Sequence, residues 1–374
     1  MTSFNQTRRQ ILQAAGMSSL VTVSGGIMLG SSGIAAAQSV KTIRWGVVGT
    51  GGIANSMAGM IKMADAAELG AVSSRRMESA REYATAHEVP NAFDSWQEMI
   101  DSDVVDAIYI ATPTSVREEI CIAAANGGKH VLGEKPFASL PSVKRITAAC
   151  RDNDVAFMDG THFVHHPRTL DIKHRRDELL GSVWSVASAF QFNLPDRNNI
   201  RFRPELEPMG AIGDAGWYNM RAAVEYLPPD VVLDTVGAHL RRDSETGAAI
   251  SGSGVLDFSD GSTSTWNCGF DSGAVVMDLR VTGTGSVINI DDFLSQNRDG
   301  SADFLYRKGG WGRGVSEEIN TPSAKPGAAL MFEDMAAAAA DSSLRDQWMT
   351  ATERTQALLD AVWVAALQSE RGSL

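Results

Sequence analysis

Ile43-Arg44-Trp45-Gly46-Val47-Val48-Gly49-Thr50-Gly51-Gly52-Ile53-Ala54 decides how this chain folds. Its first half is a short apolar run of the kind that forms a buried strand. Gly49-x-Gly51-x-x-Ala54 then closes the strand and opens a helix. The first glycine permits a tight turn. The second lets a pyrophosphate approach the backbone, and the small third residue lets helix and strand pack closely. The helix start brings unpaired N–H groups and a partial positive charge to the same place. Gly49, Gly51, Gly52 and Ile53 are therefore the expected phosphate cradle of a dinucleotide. The motif alone is weak, and the competing reading is a plain loop; its neighbours decide between the two.

Outward from the turn, strands and helices alternate. A helix is expected over residues 53–64, a strand over 69–73, a helix over 77–87 and a strand over 105–111. Helices over 115–125 and 141–153 flank a strand over 129–132, and a last strand covers 155–158. Such alternation with short links predicts an α/β Rossmann domain, a doubly wound parallel sheet, over residues 38–160. After Gly160 the rhythm changes. One helix over 167–180 precedes strands over 183–192, 231–240, 249–258, 262–270, 275–282 and 287–290. Strands without intervening helices predict a C-terminal α+β domain, residues 161–374, with a large, mostly antiparallel open sheet. Helices return over 331–340 and 351–368, where they can pack back on the first domain.

The chain has 374 residues, 44% hydrophobic and 21% charged, enough for two domains with real cores. A net charge of -12 and a pI of about 5.1 argue against nucleic acid or an anionic membrane as partner. Residues 1–37 read differently. Thr7-Arg8-Arg9-Gln10-Ile11-Leu12-Gln13 is a twin-arginine pattern, a Gly/Ser-rich run follows, and Ala35-Ala36-Ala37 offers small residues for a signal peptidase. The run is a poor membrane span. The expectation is a cleaved twin-arginine signal, export of the folded protein to the periplasm, and no membrane association afterwards. Cys121, Cys150 and Cys268 lack metal or disulfide spacing and read as buried thiols.

The end of the second strand selects the dinucleotide. An acidic residue there would hold the ribose hydroxyls of NAD. This chain has Ser73-Ser74-Arg75-Arg76 instead, and Ser74 and Arg75 can pair with a 2′-phosphate. The reading is NADP(H), against the alternative of a solvated basic turn. Downstream, Glu134-Lys135-Pro136 follows the strand run His130-Val131-Leu132-Gly133, where a lysine can reach both a nicotinamide and a substrate hydroxyl.

With its glycine turn, Ala111-Thr112-Pro113-Thr114-Ser115, Gly128-Lys129-His130-Val131-Leu132-Gly133-Glu134-Lys135-Pro136 and Gly210-Ala211-Ile212-Gly213-Asp214-Ala215-Gly216-Trp217-Tyr218, the chain from about Thr42 onward resembles the glucose–fructose oxidoreductase / inositol dehydrogenase / rhizopine catabolism (Gfo/Idh/MocA) family. The resemblance implies that Lys135 is catalytic, that Pro136 follows a cis peptide bond, and that Thr112, Pro113, Glu134 and Lys135 border the cofactor. Thr114 and Arg117 stand where the family commonly has Asn and His. Tyr218 replaces the family's frequent His, as in its glucose–fructose oxidoreductase and NADP-linked xylose dehydrogenase branches.

Oxidising an alcohol requires removing a hydroxyl proton as hydride leaves. A nearby lysine ammonium would favour the Tyr218 phenolate. Asp214 lies four residues earlier, so on a helix the two share a face and Asp214 can hold a substrate hydroxyl or orient the site. The plainer reading of Tyr218 is a core tyrosine. His162 and His165, just after the last Rossmann strand, are substrate candidates, with Arg201 and Trp217. No carboxylate joins these histidines at ligand spacing, so no metal is expected. Trp184, Trp266 and Trp311 read as packing residues.

These features predict an NADP(H)-dependent oxidoreductase of a sugar or polyol, with tightly held cofactor. The expected chemistry takes an aldose to its lactone and regenerates the cofactor on a second sugar. The resemblance adds a homodimer or homotetramer. Alternatives are a dehydrogenase of non-sugar diols and an inactive nucleotide-binding sensor.

Overall fold

The computed structural model describes residues 41–309 and 316–372. The twin-arginine pattern and Trp311 lie outside the described residues. Strands β1 (Ile43–Val48), β2 (Ala67–Ser73), β3 (Asn91–Phe93), β4 (Ala107–Ile110), β5 (His130–Gly133) and β6 (Phe157–Asp159) form one sheet in the order β3-β2-β1-β4-β5-β6. Every pairing in it is parallel. Helices α1 (Gly52–Met63), α2 (Met77–His87), α3 (Trp96–Asp101), α4 (Thr114–Asn126) and α5 (Leu140–Asp152) connect the strands. β4 is buried along its whole length, which is why it reads as a continuous apolar run rather than an alternating one. Ser95 and Ser139 cap α3 and α5 by accepting from the N–H groups of Glu98 and Ser142. The order reverses between β1 and β4, the switch point where such sheets bind ligands.

The second layer begins after β6. The helix expected over 167–180 is two, α6 (Pro167–His174) and α7 (Arg176–Leu180), because Arg175 leaves helical geometry with ψ 13. Strands β7 (Val183–Asn193), β8 (Leu233–Arg242), β9 (Ala249–Phe258), β10 (Thr263–Gly269), β11 (Asp271–Val276), β12 (Leu279–Gly283), β13 (Ser286–Ile290), β14 (Ala302–Lys308) and β15 (Ser316–Thr321) make a nine-stranded sheet. It is antiparallel apart from β7 and β10, which run parallel. The single strand expected over 275–282 is the end of β11 and the start of β12. Both pair with β7 in one register, Val276 opposite Gln191 and Leu279 opposite Ser188. They part at Met277 and Asp278, where Met277 bridges to Asp292 and the Asp278 carbonyl accepts from the Ala189 N–H. The sequence reading missed β3, α3, β14 and β15.

Helices α8 (Gly210–Asp214) and α9 (Gly216–Tyr226) lie between β7 and β8 in sequence. The chain closes with α10 (Gly327–Ala340) and α11 (Ser342–Gly372). Both pack on the Rossmann layer. Phe332 of α10 meets Trp45 of β1 edge-on at 4.9 Å. In α11, Gln356 accepts from the Phe137 N–H at 3.1 Å and Asp360 from the Leu140 N–H at 2.6 Å. Cys121, Cys150 and Cys268 are all buried free thiols. Trp266 is buried as expected, but Trp184 stands 50% exposed and is a surface residue of the sheet.

Candidate active site

The cradle forms at the carboxyl end of β1. Gly49 has φ +102, and a Cβ there would meet the Ala111 carbonyl oxygen at 2.8 Å, so conformation and contact both require glycine. Cβ atoms built at Gly51 or Gly52 would meet nothing within 4 Å, which leaves bare backbone facing outward. Helix α1 starts with no side-chain cap, so its first N–H groups remain for an anion. The Asn55 amide steadies the turn by donating to the Thr50 and Gly51 carbonyls at 3.1 and 2.9 Å. Ile53 is exposed beside it. The residues present therefore fit a dinucleotide pyrophosphate.

At the end of β2 the Ser74 N–H donates to the Phe93 carbonyl. Arg75 is exposed, and no hydrogen bond or ion pair engages its guanidinium among the described residues. Arg76 is turned aside to the Ser79 hydroxyl at 2.8 Å.

The second edge of the crevice comes from the turns after β4 and β5. Arg117, buried one helical turn beyond Thr114, ties them together. Its guanidinium donates to the carbonyls of Thr112 and Pro136 and, at 3.1 Å, to the Thr114 hydroxyl. The Lys135–Pro136 bond is cis. Glu134 lies deeper than expected. Its buried carboxylate accepts from the Tyr109 hydroxyl at 2.7 Å and the Lys135 N–H at 3.3 Å, so it supports the turn rather than presenting a cofactor contact.

Lys135 is the centre of the site. Its ammonium donates to Asp214 Oδ1 at 2.6 Å and to the Asp214 carbonyl at 3.0 Å. It sits 4.8 Å from the centre of the Tyr218 ring. Side chains of Lys135 and Asp214 are only 8% and 12% exposed. Arg201 closes a fork on the other side of the carboxylate, Nε to Oδ2 at 2.7 Å and Nη2 to Oδ1 at 3.0 Å. Burial alone would raise the Asp214 carboxyl, but Lys135 and Arg201 outweigh it and hold the group well below the usual carboxylate range. The approach of α8 to the Lys135 turn requires Gly213, whose Cβ would lie 3.1 Å from the Pro136 ring and 2.9 Å from Met209.

Tyr218 departs from expectation. Asp214 and Tyr218 stand on separate short helices that meet at Ala215, yet both reach Lys135. Burial, then the negative charges of Glu134 and Asp214, push the Tyr218 hydroxyl well above its ordinary value. The Arg201 charge pulls the other way and is outweighed. Tyr218 therefore holds its proton in this arrangement.

His162 faces the same cluster, its ring centre 5.8 Å from that of Tyr218. Burial and the Lys135 charge push its pKa down to about 4, so it is neutral at neutral pH. His165 and Trp217 do not contact the crevice. His165 is 1% exposed, stacked on Trp348 at 4.4 Å and bonded to Asp334 at 2.8 Å. Trp217 is wholly buried against Phe137 and donates its Nε1–H to the Thr161 hydroxyl at 2.6 Å. Both are packing residues, which corrects their reading as substrate contacts.

Sequence reasoning missed a buried ionic chain behind the site. Arg221 donates to Asp159 Oδ2 at 2.6 Å and to Glu225 Oε1 at 2.7 Å. Thr352 of α11 also donates to Asp159, at 2.6 Å, and Lys173 pairs with Glu225. Arg221 and Glu225 share a face of α9 with Tyr218, so this chain fixes that helix to the end of β6. The i, i+4 spacing of Arg221 and Glu225 was the visible signal.

Comparison with known proteins identifies the family. Residues 43–161 match the family model GFO_IDH_MocA, described as an oxidoreductase family with an NAD-binding Rossmann fold. Residues 173–289 match the GFO/IDH/MocA C-terminal domain. D-xylose 1-dehydrogenase (NADP(+)) 2 of Haloferax volcanii is 34% identical over 233 residues, 61% of this chain and 70% of that protein. The chain belongs to the Gfo/Idh/MocA family. It is thus a nicotinamide-dependent oxidoreductase, and its first sheet is the dinucleotide-binding domain. Among solved structures, aldose-aldose oxidoreductase from Caulobacter crescentus, complexed with glycerol, superposes with a TM-score of 0.79 at 20% identity, over 88% of this chain and 98% of the other. The 3-ketoreductase KijD10 from Actinomadura kijaniata, in complex with NADP and TDP-benzene, gives 0.78 at 24% identity, over 87% and 98%. At these identities both confirm the fold of this Gfo/Idh/MocA member.

Proposed function

We propose that this protein is an NADP(H)-dependent sugar oxidoreductase that takes an aldose to its lactone and returns the hydride to a second sugar. The observation that carries the reading is Lys135, held at 2.6 Å from Asp214 and 4.8 Å from the Tyr218 ring centre. The nicotinamide, when bound, accepts or gives the hydride. The chain's own residues handle the rest. An ammonium has three N–H donors. Asp214 takes two of those on Lys135, which leaves one for the substrate oxygen and fixes its direction. Tyr218 donates its hydroxyl proton to a carbonyl oxygen as that becomes an alcohol. In the oxidative direction it must first lose the proton and then accept the substrate's. Arg201 keeps Asp214 ionised, and so keeps Lys135 in place. Gly49, Gly51, Gly52 and Ile53 would hold the pyrophosphate, and Ser74 and Arg75 the 2′-phosphate.

Sugar as the substrate class is supported by the xylose dehydrogenase relative and by the hydrogen-bonding set of Lys135, Tyr218 and His162. Export by the twin-arginine pathway would carry out a folded enzyme already loaded with NADP(H), and the periplasm offers no pool to replace it. Absorbance and mass of the nucleotide that co-purifies, followed by a panel of aldose donors and acceptors, test the reading. A protein that binds NAD and NADP equally weakly, or that turns over no sugar, would sink it. Replacing Arg8 and Arg9 by Lys should trap a precursor in the cytoplasm; efficient export of that variant would remove the location. We also propose a homodimer or homotetramer, with subunits meeting on the large sheet, whose strands β7 and β11 carry the exposed apolar side chains Trp184 and Val275. A monomer by light scattering at micromolar concentration would count against it.

A further inference from the structure

We infer that residues 194–209 form a strap across the nicotinamide end of the crevice, and that Glu207 is the latch setting how long the dinucleotide stays bound. This rests on the reading of the crevice as the dinucleotide site. The strap leaves the large sheet after β7 and returns at α8. Its body is anchored in its own domain: Phe202 is buried with Ala248 and Ile250, and Leu194 packs against the same cluster. Its middle is fixed on the catalytic cluster by the Arg201 fork to Asp214.

Its far end reaches the other domain. The Glu207 carboxylate accepts from the Thr114 N–H at 3.0 Å and from the Thr114 hydroxyl at 2.6 Å. The Leu206 carbonyl accepts from the Ser115 N–H at 3.3 Å. Thr114 opens α4, directly after Thr112 and Pro113. That helix has no capping side chain of its own, since Pro113 occupies the cap position. Glu207 is therefore its cap, supplied from the second domain, with a negative charge at the positive end of the helix dipole.

The strap thus joins the turn after β4, through Glu207, to the turn after β5, through Arg201, Asp214 and Lys135. A dinucleotide lying across the carboxyl ends of these strands has its nicotinamide beneath that bridge. To leave, it needs the bridge to open. The Glu207 bonds, with the longer Leu206–Ser115 bond beside them, are the contacts to break, because Phe202 and Arg201 hold the rest of the strap to its own side. Glu207 is a positioning residue: it acts on the cofactor edge through Thr114.

Release of NADPH, displaced by excess NADP⁺ in a stopped-flow instrument and followed by NADPH fluorescence, reads the latch without turnover. Glu207→Ala loses both charge-assisted bonds and should release NADPH about 10- to 100-fold faster. Glu207→Gln keeps an acceptor oxygen and should restore most of the retention, a rescue that lost packing would not give. Thr114→Val keeps the backbone N–H bond to Glu207, removes the hydroxyl donor together with the acceptor of one Arg117 bond, and should speed release less. The double variant Glu207→Ala, Thr114→Val should release no faster than Glu207→Ala alone, since the two act on one contact. Should Glu207→Ala not fold, the Gln and Val variants carry the test, with faster release in Thr114→Val as the expected result. Unchanged release in the folded variants, or effects that multiply in the double variant, overturns the latch. A wild-type protein that binds no dinucleotide overturns the crevice reading instead, so the two failures are distinguishable.

Discussion

Tyr218→Phe keeps the aromatic contacts of the ring and deletes the one proton it exchanges. It should slow hydride transfer by roughly 10²–10⁴-fold in single-turnover absorbance, with NADP(H) affinity near wild type. Because the native hydroxyl resists ionisation, wild-type oxidation should accelerate as pH rises above neutrality, and the Phe variant should lose that slope. Full activity in the variant would end the assignment. Arg75→Ala should weaken NADP binding by roughly 1.5–3 kcal/mol by titration calorimetry and leave NAD binding unchanged; equal weakening of both would make Arg75 structural. Gly49, Lys135, Asp214 and Tyr218 were legible because each sits in a local motif whose chemistry can be read within a few residues. Glu207 and Asp159 were not. Their partners Thr114 and Arg221 lie 93 and 62 residues away, and only the packed fold brings them together.

Helix α9 carries one source of the molecule's acid sensitivity. Burial alone would raise the Glu225 carboxyl, but Lys173 and Arg221 hold it down at about 2. Its contribution, about 3 kcal/mol, is complete above the unfolded value near ~4.3 and is lost as pH falls toward 2. His162 acts in a higher window. Its folded value of about 4 lies below the unfolded ~6.5, so the unfolded chain takes up a proton the native ring refuses. Stability should therefore begin to fall below about pH 6.5. Urea unfolding across pH should show both limbs, with His162→Gln flattening the upper and Glu225→Gln the lower. A profile flat from pH 7 to 4 would contradict the His162 part. At this scale the sequence was legible where one periodicity ran unbroken, as in α2 and β9, whose observed limits are those expected. It failed where an element ends without a change in side-chain pattern. β11 and β12 read as one strand because the apolar pattern runs on through Met277, which in the fold bridges to Asp292 instead of continuing the ladder. β3, of three residues, is too short to show a period.

Over the whole molecule, the two-layer plan was legible from the change of rhythm near Gly160, but the path of the last helix was not. α11 runs for 31 residues and serves both sheets. Its Gln356 and Asp360 hold the turn after β5, while Ser369 meets His239 at 2.8 Å and Glu370 meets Arg242 at 2.8 Å on β8. A helix shared in this way leaves neither layer complete without the other. Residues from Thr42 onward cluster as one compact unit accordingly. The heat-absorption peak of the purified protein should be single, with calorimetric and van't Hoff enthalpies equal; two resolved peaks would mean that the layers melt independently. The same helix makes the molecule a poor source of parts. A dinucleotide-binding half expressed alone, ending after β6, would expose the apolar seat of α10 and α11 and should aggregate, whereas adding those two helices back as a separate chain should bring it into solution.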